Sequence, residues 1–111
     1  MLLFVHKKKN LFPKRTPPTQ KPVLLVTRKL PAAIEARCAR DYSARFNEAD
    51  TPRTGADILA LAQGADAILA CAADRIDAAT MAALPASVRV VATFSVGYDH
   101  IDVAAAQARG I

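Results

Sequence analysis

The sequence predicts an α/β fold built on a parallel sheet. Four times from Lys21 onward, a short β-rich run is followed by a turn and then an Ala-rich amphipathic run. Most of the β-rich runs are continuously apolar rather than alternating, the pattern of strands covered on both faces. Strands alternating with helices at this spacing make βαβ units with right-handed crossovers.

The first strand is Val23-Leu24-Leu25-Val26-Thr27. Pro31 suits the opening turn of a helix, where its missing N–H costs nothing. That helix runs to about Arg40, with Ile34 and Cys38 one turn apart on its inner face. Asp41 to Phe46 alternates and reads as a half-exposed edge strand. Thr54 opens the second helix, and Asp57 completes a capping box. Ile58, Leu61 and Ala65 share its apolar face, and Gly64 stops it.

Ala67 to Cys71 is the third strand. Asp77 caps the third helix, with Ile76 and Met81 as a staple across the cap, and Pro85 ends it. Val88 to Phe94, rich in β-branched residues, is the fourth strand. Asp102 caps a last helix, Val103 to Arg109, which Gly110 ends.

The charge is divided unevenly along the 111 residues. Residues 1–22 hold six basic residues and no acid, while the remainder holds nine basic and ten acidic residues, so +6 is followed by −1. With four prolines and the triplet Lys7-Lys8-Lys9, residues 1–22 are expected to be a basic disordered tail. The near-neutral remainder lacks the clustered Lys/Arg with interleaved aromatics of a nucleic-acid face. Membrane partners are also argued against, because no apolar run approaches the roughly 18–20 residues a bilayer span needs. Cys38 and Cys71 belong to no metal-spaced cluster and are expected to be free buried thiols. Without a disulfide framework or a secretory signal, the expected location is cytoplasmic.

In open parallel sheets, ligands bind beyond the carboxyl ends of the strands. After the first strand, Thr27-Arg28-Lys29-Leu30-Pro31 has no glycine, whereas a dinucleotide site needs G-x-G-x-x-G there. A phospho-acceptor receiver domain would need acids where Arg28, Lys29 and Cys71 stand. Phe94 to Asp102 is different, because Gly97 directly follows a buried strand. A glycine with positive φ can turn successive N–H groups into an anion nest, for which a small carboxylate is a natural guest. Spacing alone leaves a second reading, a plain strand-to-helix turn with Asp99 and Asp102 as caps.

At this loop the sequence resembles a known family. Ser95-Val96-Gly97-Tyr98-Asp99-His100-Ile101-Asp102, followed by the Ala-rich helix and Arg109-Gly110-Ile111, is similar to the D-isomer-specific 2-hydroxyacid dehydrogenases. Thr27-Arg28-Lys29-Leu30-Pro31, Ala65-Asp66-Ala67-Ile68-Leu69 and Asp74-Arg75-Ile76-Asp77 resemble its glyoxylate/hydroxypyruvate reductase branch. The likeness runs from Lys21 to Ile111.

The resemblance implies a flavodoxin-like substrate-binding domain, an open parallel sheet with helices on both faces, of which residues 23–111 supply four βα units and leave it incomplete. It implies that the Val-Gly backbone binds the substrate carboxylate, which places substrate binding on Val96 and Gly97 with Ser95 adjacent. It implies NAD(P) as the full-length cofactor, a small 2-oxo or 2-hydroxy acid as partner, and a homodimer. The family's catalytic Arg, Glu and His and its glycine-rich loop fall downstream of the matched region. This chain is therefore expected to bind no cofactor, to contribute no catalytic residue and to be inactive alone. His100 sits at another motif position than the catalytic His and reads as a turn residue.

Two other classes stay open: a stand-alone α/β module binding a carboxylate or a partner, and an interaction protein driven by the basic tail. Lacking the family's fifth strand, Val88 to Phe94 is expected to present an unpaired edge and make the chain prone to self-association.

Overall fold

The computed structural model describes residues 2–4 and 20–111. Val23–Val26 (β2), Ser43–Arg45 (β3), Ala67–Cys71 (β4) and Val90–Phe94 (β5) form the parallel sheet; Ala32–Asp41 (α1), Gly55–Leu61 (α2), Ala78–Ala83 (α3) and Val103–Ala108 (α4) follow them in turn. Leu2–Phe4 (β1) adds an antiparallel strand, giving the order β1-β5-β4-β2-β3.

Side-chain alternation along each strand divides the core in two. Leu25, Ile68, Ala70 and Val91 face Ile58 of α2 and Ala62 just beyond its end, Met81 of α3 and Ala106 of α4. Leu24, Val26, Ala67, Leu69, Val90 and Ala92 face the other way, toward Ile34 and Cys38 of α1. Both faces of these strands are covered, which is why their sequences do not alternate. β3 is the exposed exception, with only Ala44 half-buried. Cys38 and Cys71 are free, and burial pushes both thiols up in pKa.

The short helices are fixed at both ends. Thr54 and Asp57 exchange capping-box hydrogen bonds, and Asp77 and Asp102 accept from Thr80 N and Ala105 N. At the other end, Arg109 donates to the carbonyls of Met81 and Leu84, and Arg45 to those of Leu61 and Gln63. These guanidinium groups satisfy carbonyls that a helix cannot pair internally. Gly64 and Gly110 both stand at φ 74, where glycine is needed past a helix end.

Three expectations change. Leu61 is 39% exposed while Ala62 is fully buried, because i to i+4 from Ile58 tracks the inner face more closely than i to i+3. The edge of β5 is not unpaired: Leu2 lies opposite Phe94 and Phe4 opposite Ala92, so this open edge gives no reason for self-association. The same pairing places a strand within residues 1–22, where a disordered tail was expected; residues 5–19 lie outside the described residues.

Several carboxylates are held below their ordinary pKa: Asp57 and Asp77 by backbone hydrogen bonds from Thr54 and Thr80, Asp50 by the Arg28 side chain, and Asp41 by Arg40. A depressed carboxylate stabilises the fold above its unfolded value of 3.8, and that contribution disappears as pH falls through the lower folded values. The urea midpoint is therefore expected to drop between about pH 6 and about pH 3. A flat midpoint across that window would contradict these caps.

Candidate functional site

The groove at the carboxyl end of the sheet is built from two connections. Ala72 to Asp77 follows β4, and Ser95 to Asp102 follows β5. The second closes on the first through an isolated parallel bridge: Ile76 N donates to His100 O, and Asp102 N donates to Ile76 O, both at 2.9 Å. Ile76 and Ile101 are buried beneath this pair. The groove above encloses about 1150 Å³ and is lined by Ser95, Val96, Gly97 and Tyr98 on one side and by Ala72, Asp74 and Arg75 on the other.

All three residues expected to bind substrate line this groove. Val96 is 88% exposed and Gly97 is open to solvent. Ser95 is half-buried, and its hydroxyl is turned inward to donate to Gly97 O at 2.6 Å. Among the described residues, no acceptor meets the N–H groups of Val96, Gly97 or Tyr98. Unpaired amides on an exposed turn can receive an anion.

The reason expected for the glycine is not the one the structure gives. Only Gly64 and Gly110 among the glycines have positive φ, so Gly97 forms no nest of alternating hand. A methyl group at Gly97 would meet nothing within 4 Å. The backbone at this position borders open space.

His100 lies in the turn, as expected. It has a partner: its Nε2 lies 2.9 Å from Thr93 Oγ1, which lies 2.7 Å from Ser95 Oγ. Thr93 is fully buried in an otherwise apolar strand. That isolated polar residue was the signal in the sequence for a buried contact beneath the loop.

The topological switch point, between β2 and β4, is closed by the protein itself. Buried Asp74 accepts from the Thr27 hydroxyl and from Cys71 N. Asp50, in the left-handed region at φ 53, accepts from Arg28 Nε and Lys29 N, binding the loop after β3 to the loop after β2. This contact raises the pKa of Arg28 and lowers that of Asp50.

The residues present do not fit a dinucleotide. A pyrophosphate needs free N–H groups at a helix N-terminus. Leu30 N donates to Glu35, Thr54 N donates to the Asp57 carboxylate while Asp57 N donates to Thr54 Oγ1, and Asp77 and Asp102 accept from Thr80 N and Ala105 N in the first turns of α3 and α4. Each helix start thus carries its own carboxylate. Among the described residues there is no group of three or more His, Cys, Asp or Glu able to hold a metal ion. No described helix is long and apolar enough to cross a membrane.

Comparison with known proteins places this arrangement. The family model for the D-isomer specific 2-hydroxyacid dehydrogenase catalytic domain matches residues 24–111. The chain belongs to this family.

Among its relatives, a glycerate dehydrogenase of Hyphomicrobium methylovorum is 31% identical over 88 residues, covering 79% of this chain and 27% of the relative. A glyoxylate reductase of Thermofilum pendens is 42% identical over 62 residues, 56% of this chain and 18% of the relative. The crystal structure of a D-isomer specific 2-hydroxyacid dehydrogenase, NAD-binding, from Polaromonas sp. JS6 66 superposes with a TM-score of 0.76 at 36% identity. It covers 83% of this chain and 28% of that one. The chain therefore spans less than a third of the length of these family members. The parallel α/β fold and the family membership agree with the sequence reading.

Gly97→Ala should leave the unfolding free energy from urea titration within about 0.5 kcal/mol of the parent. Gly64→Ala, at φ 74, should lose about 1 kcal/mol or more. Equal losses would contradict the open setting of Gly97.

Proposed function

We propose that this chain supplies the carboxylate-binding part of an NAD(P)-dependent 2-hydroxyacid dehydrogenase of the glyoxylate/hydroxypyruvate reductase type. The observation that carries the reading is the turn Ser95-Val96-Gly97-Tyr98, which presents unpaired N–H groups over open space at the mouth of a groove. Val96 and Gly97 receive the substrate carboxylate through main-chain donors. Ser95 supports them through the Gly97 carbonyl.

The lining of the groove favours a small acid without a second anionic group. Asp77, Asp99 and Asp102 stand there against Arg75 alone, so three negative charges face one positive and the formal sum is −2. A phosphate on the substrate would add repulsion at close range. Glyoxylate and hydroxypyruvate carry only the carboxylate, which the amides of the turn can receive. This separates the reading from the D-3-phosphoglycerate dehydrogenases of Mycobacterium that the chain also resembles, at 38% identity over 91 residues for that of Mycobacterium leprae.

In the whole enzyme, NAD(P) supplies the hydride and is held by residues outside this chain. The groups here bind and orient the acid and contribute no proton to the reaction. By itself the chain binds the acid without turning it over, and it works in the cytoplasm.

Titrating the ¹⁵N-labelled chain with glyoxylate should shift the Val96, Gly97 and Tyr98 amides, and 3-phosphoglycerate should shift them less. The same sample with NADPH and glyoxylate should show no NADPH oxidation above blank. Turnover, or glyoxylate shifts that avoid these amides, would refute the proposal.

A further inference from the structure

The contacts beneath the turn form a continuous line. His100 Nε2 meets Thr93 Oγ1 at 2.9 Å, Thr93 Oγ1 meets Ser95 Oγ at 2.7 Å, and Ser95 Oγ meets Gly97 O at 2.6 Å. Proton counting gives this line one direction. A carbonyl oxygen only accepts, so the single hydroxyl proton of Ser95 points to Gly97 O. Ser95 Oγ must then accept from Thr93. Thr93 has spent its own proton and must accept from His100 Nε2–H. The opposite polarity would leave two oxygens facing each other across 2.7 Å with no proton between them.

We infer that His100, through Thr93 and Ser95, is a positioning residue that sets the orientation of the Gly97–Tyr98 peptide in the carboxylate turn. This inference rests on the proposed carboxylate site and adds the device that aims it. In a planar trans peptide, C=O and N–H point in opposite directions. With Gly97 O held by Ser95, the Tyr98 N–H points to the opposite side of that peptide. Both the neutral Nε2–H tautomer and the doubly protonated ring carry the required proton, so either maintains the line.

Thr93 anchors it, being fully buried in β5, whereas Ser95 and His100 are half-buried. The carbonyl of His100 is itself fixed by Ile76 N, so the ring starts from a backbone tied to the neighbouring loop.

The test uses the whole 111-residue chain. Long-range ¹H–¹⁵N correlation of the neutral His100 ring should show the Nε2–H tautomer. In Thr93→Val, which keeps the side-chain shape, the Gly97 and Tyr98 amide shifts should move without ligand. Glyoxylate should bind about tenfold more weakly, the scale of one lost hydrogen bond. Thr93→Ser retains the hydroxyl and should restore both. A purely structural role for Thr93 predicts no rescue by serine, because serine removes the buried methyl.

An Nδ1–H tautomer, or parent-like Gly97 and Tyr98 shifts in a folded Thr93→Val, would overturn the inference. If the parent chain fails to bind glyoxylate, the carboxylate reading falls. The tautomer and the ligand-free shifts still decide whether the line of hydroxyls exists.

Discussion

Two backbone hydrogen bonds, from Ile76 N to His100 O and from Asp102 N to Ile76 O, determine where the turn after β5 can stand. They tie the connection after β4 to the connection after β5 beyond the end of the sheet. Ile76 and Ile101 seal the junction from below. Strand alternation in β5 then places Thr93 beneath the turn, and the first carboxylate of α4 fixes the exit at Asp102. What remains between Ser95 and Tyr98 is a short arch, supported at both ends and open above. Such an arch can present its amides without reorganising when a guest arrives.

Electrostatics divides the carboxyl end of the sheet into a closed part and an open part. At the switch point, the Thr27, Cys71 and Asp74 contacts and the Arg28–Asp50 pair consume the groups that a ligand would use. At the helix starts, Glu35, the reciprocal Thr54–Asp57 pair, Asp77 and Asp102 take N–H groups of the kind that attract phosphates elsewhere. The turn at Gly97 is left with free donors, yet it borders an acidic lining. Amide dipoles act over hydrogen-bond distance, while charges further off are screened within about 8 Å at physiological salt. A small monocarboxylate seated on the amides gains the first effect and meets the second only in part.

Much of this was legible in the sequence because the signals were local. Continuous apolar runs marked β2 and β4, β-branched residues marked β5, alternation marked β3, and Thr54, Asp77 and Asp102 marked the helix starts. The SVGYDHID stretch pointed to the groove. What escaped reading depends on distant partners. Nothing near Leu2–Phe4 states that the edge of β5 is its mate. The pairing of His100 with Thr93 joins a turn to a buried strand seven positions earlier. Gly97 read as a left-handed glycine, whereas its φ is not positive and a methyl group there would meet nothing within 4 Å.

The central claim is that main-chain donors in the turn after β5, rather than a charged side chain, receive the carboxylate. A crystal structure of the chain with bound glyoxylate tests it most directly. It should place a carboxylate oxygen about 2.9 Å from the nitrogens of Val96 and Gly97. A carboxylate seated on Arg75 or Arg28, with the 96–98 amides facing only water, would contradict it.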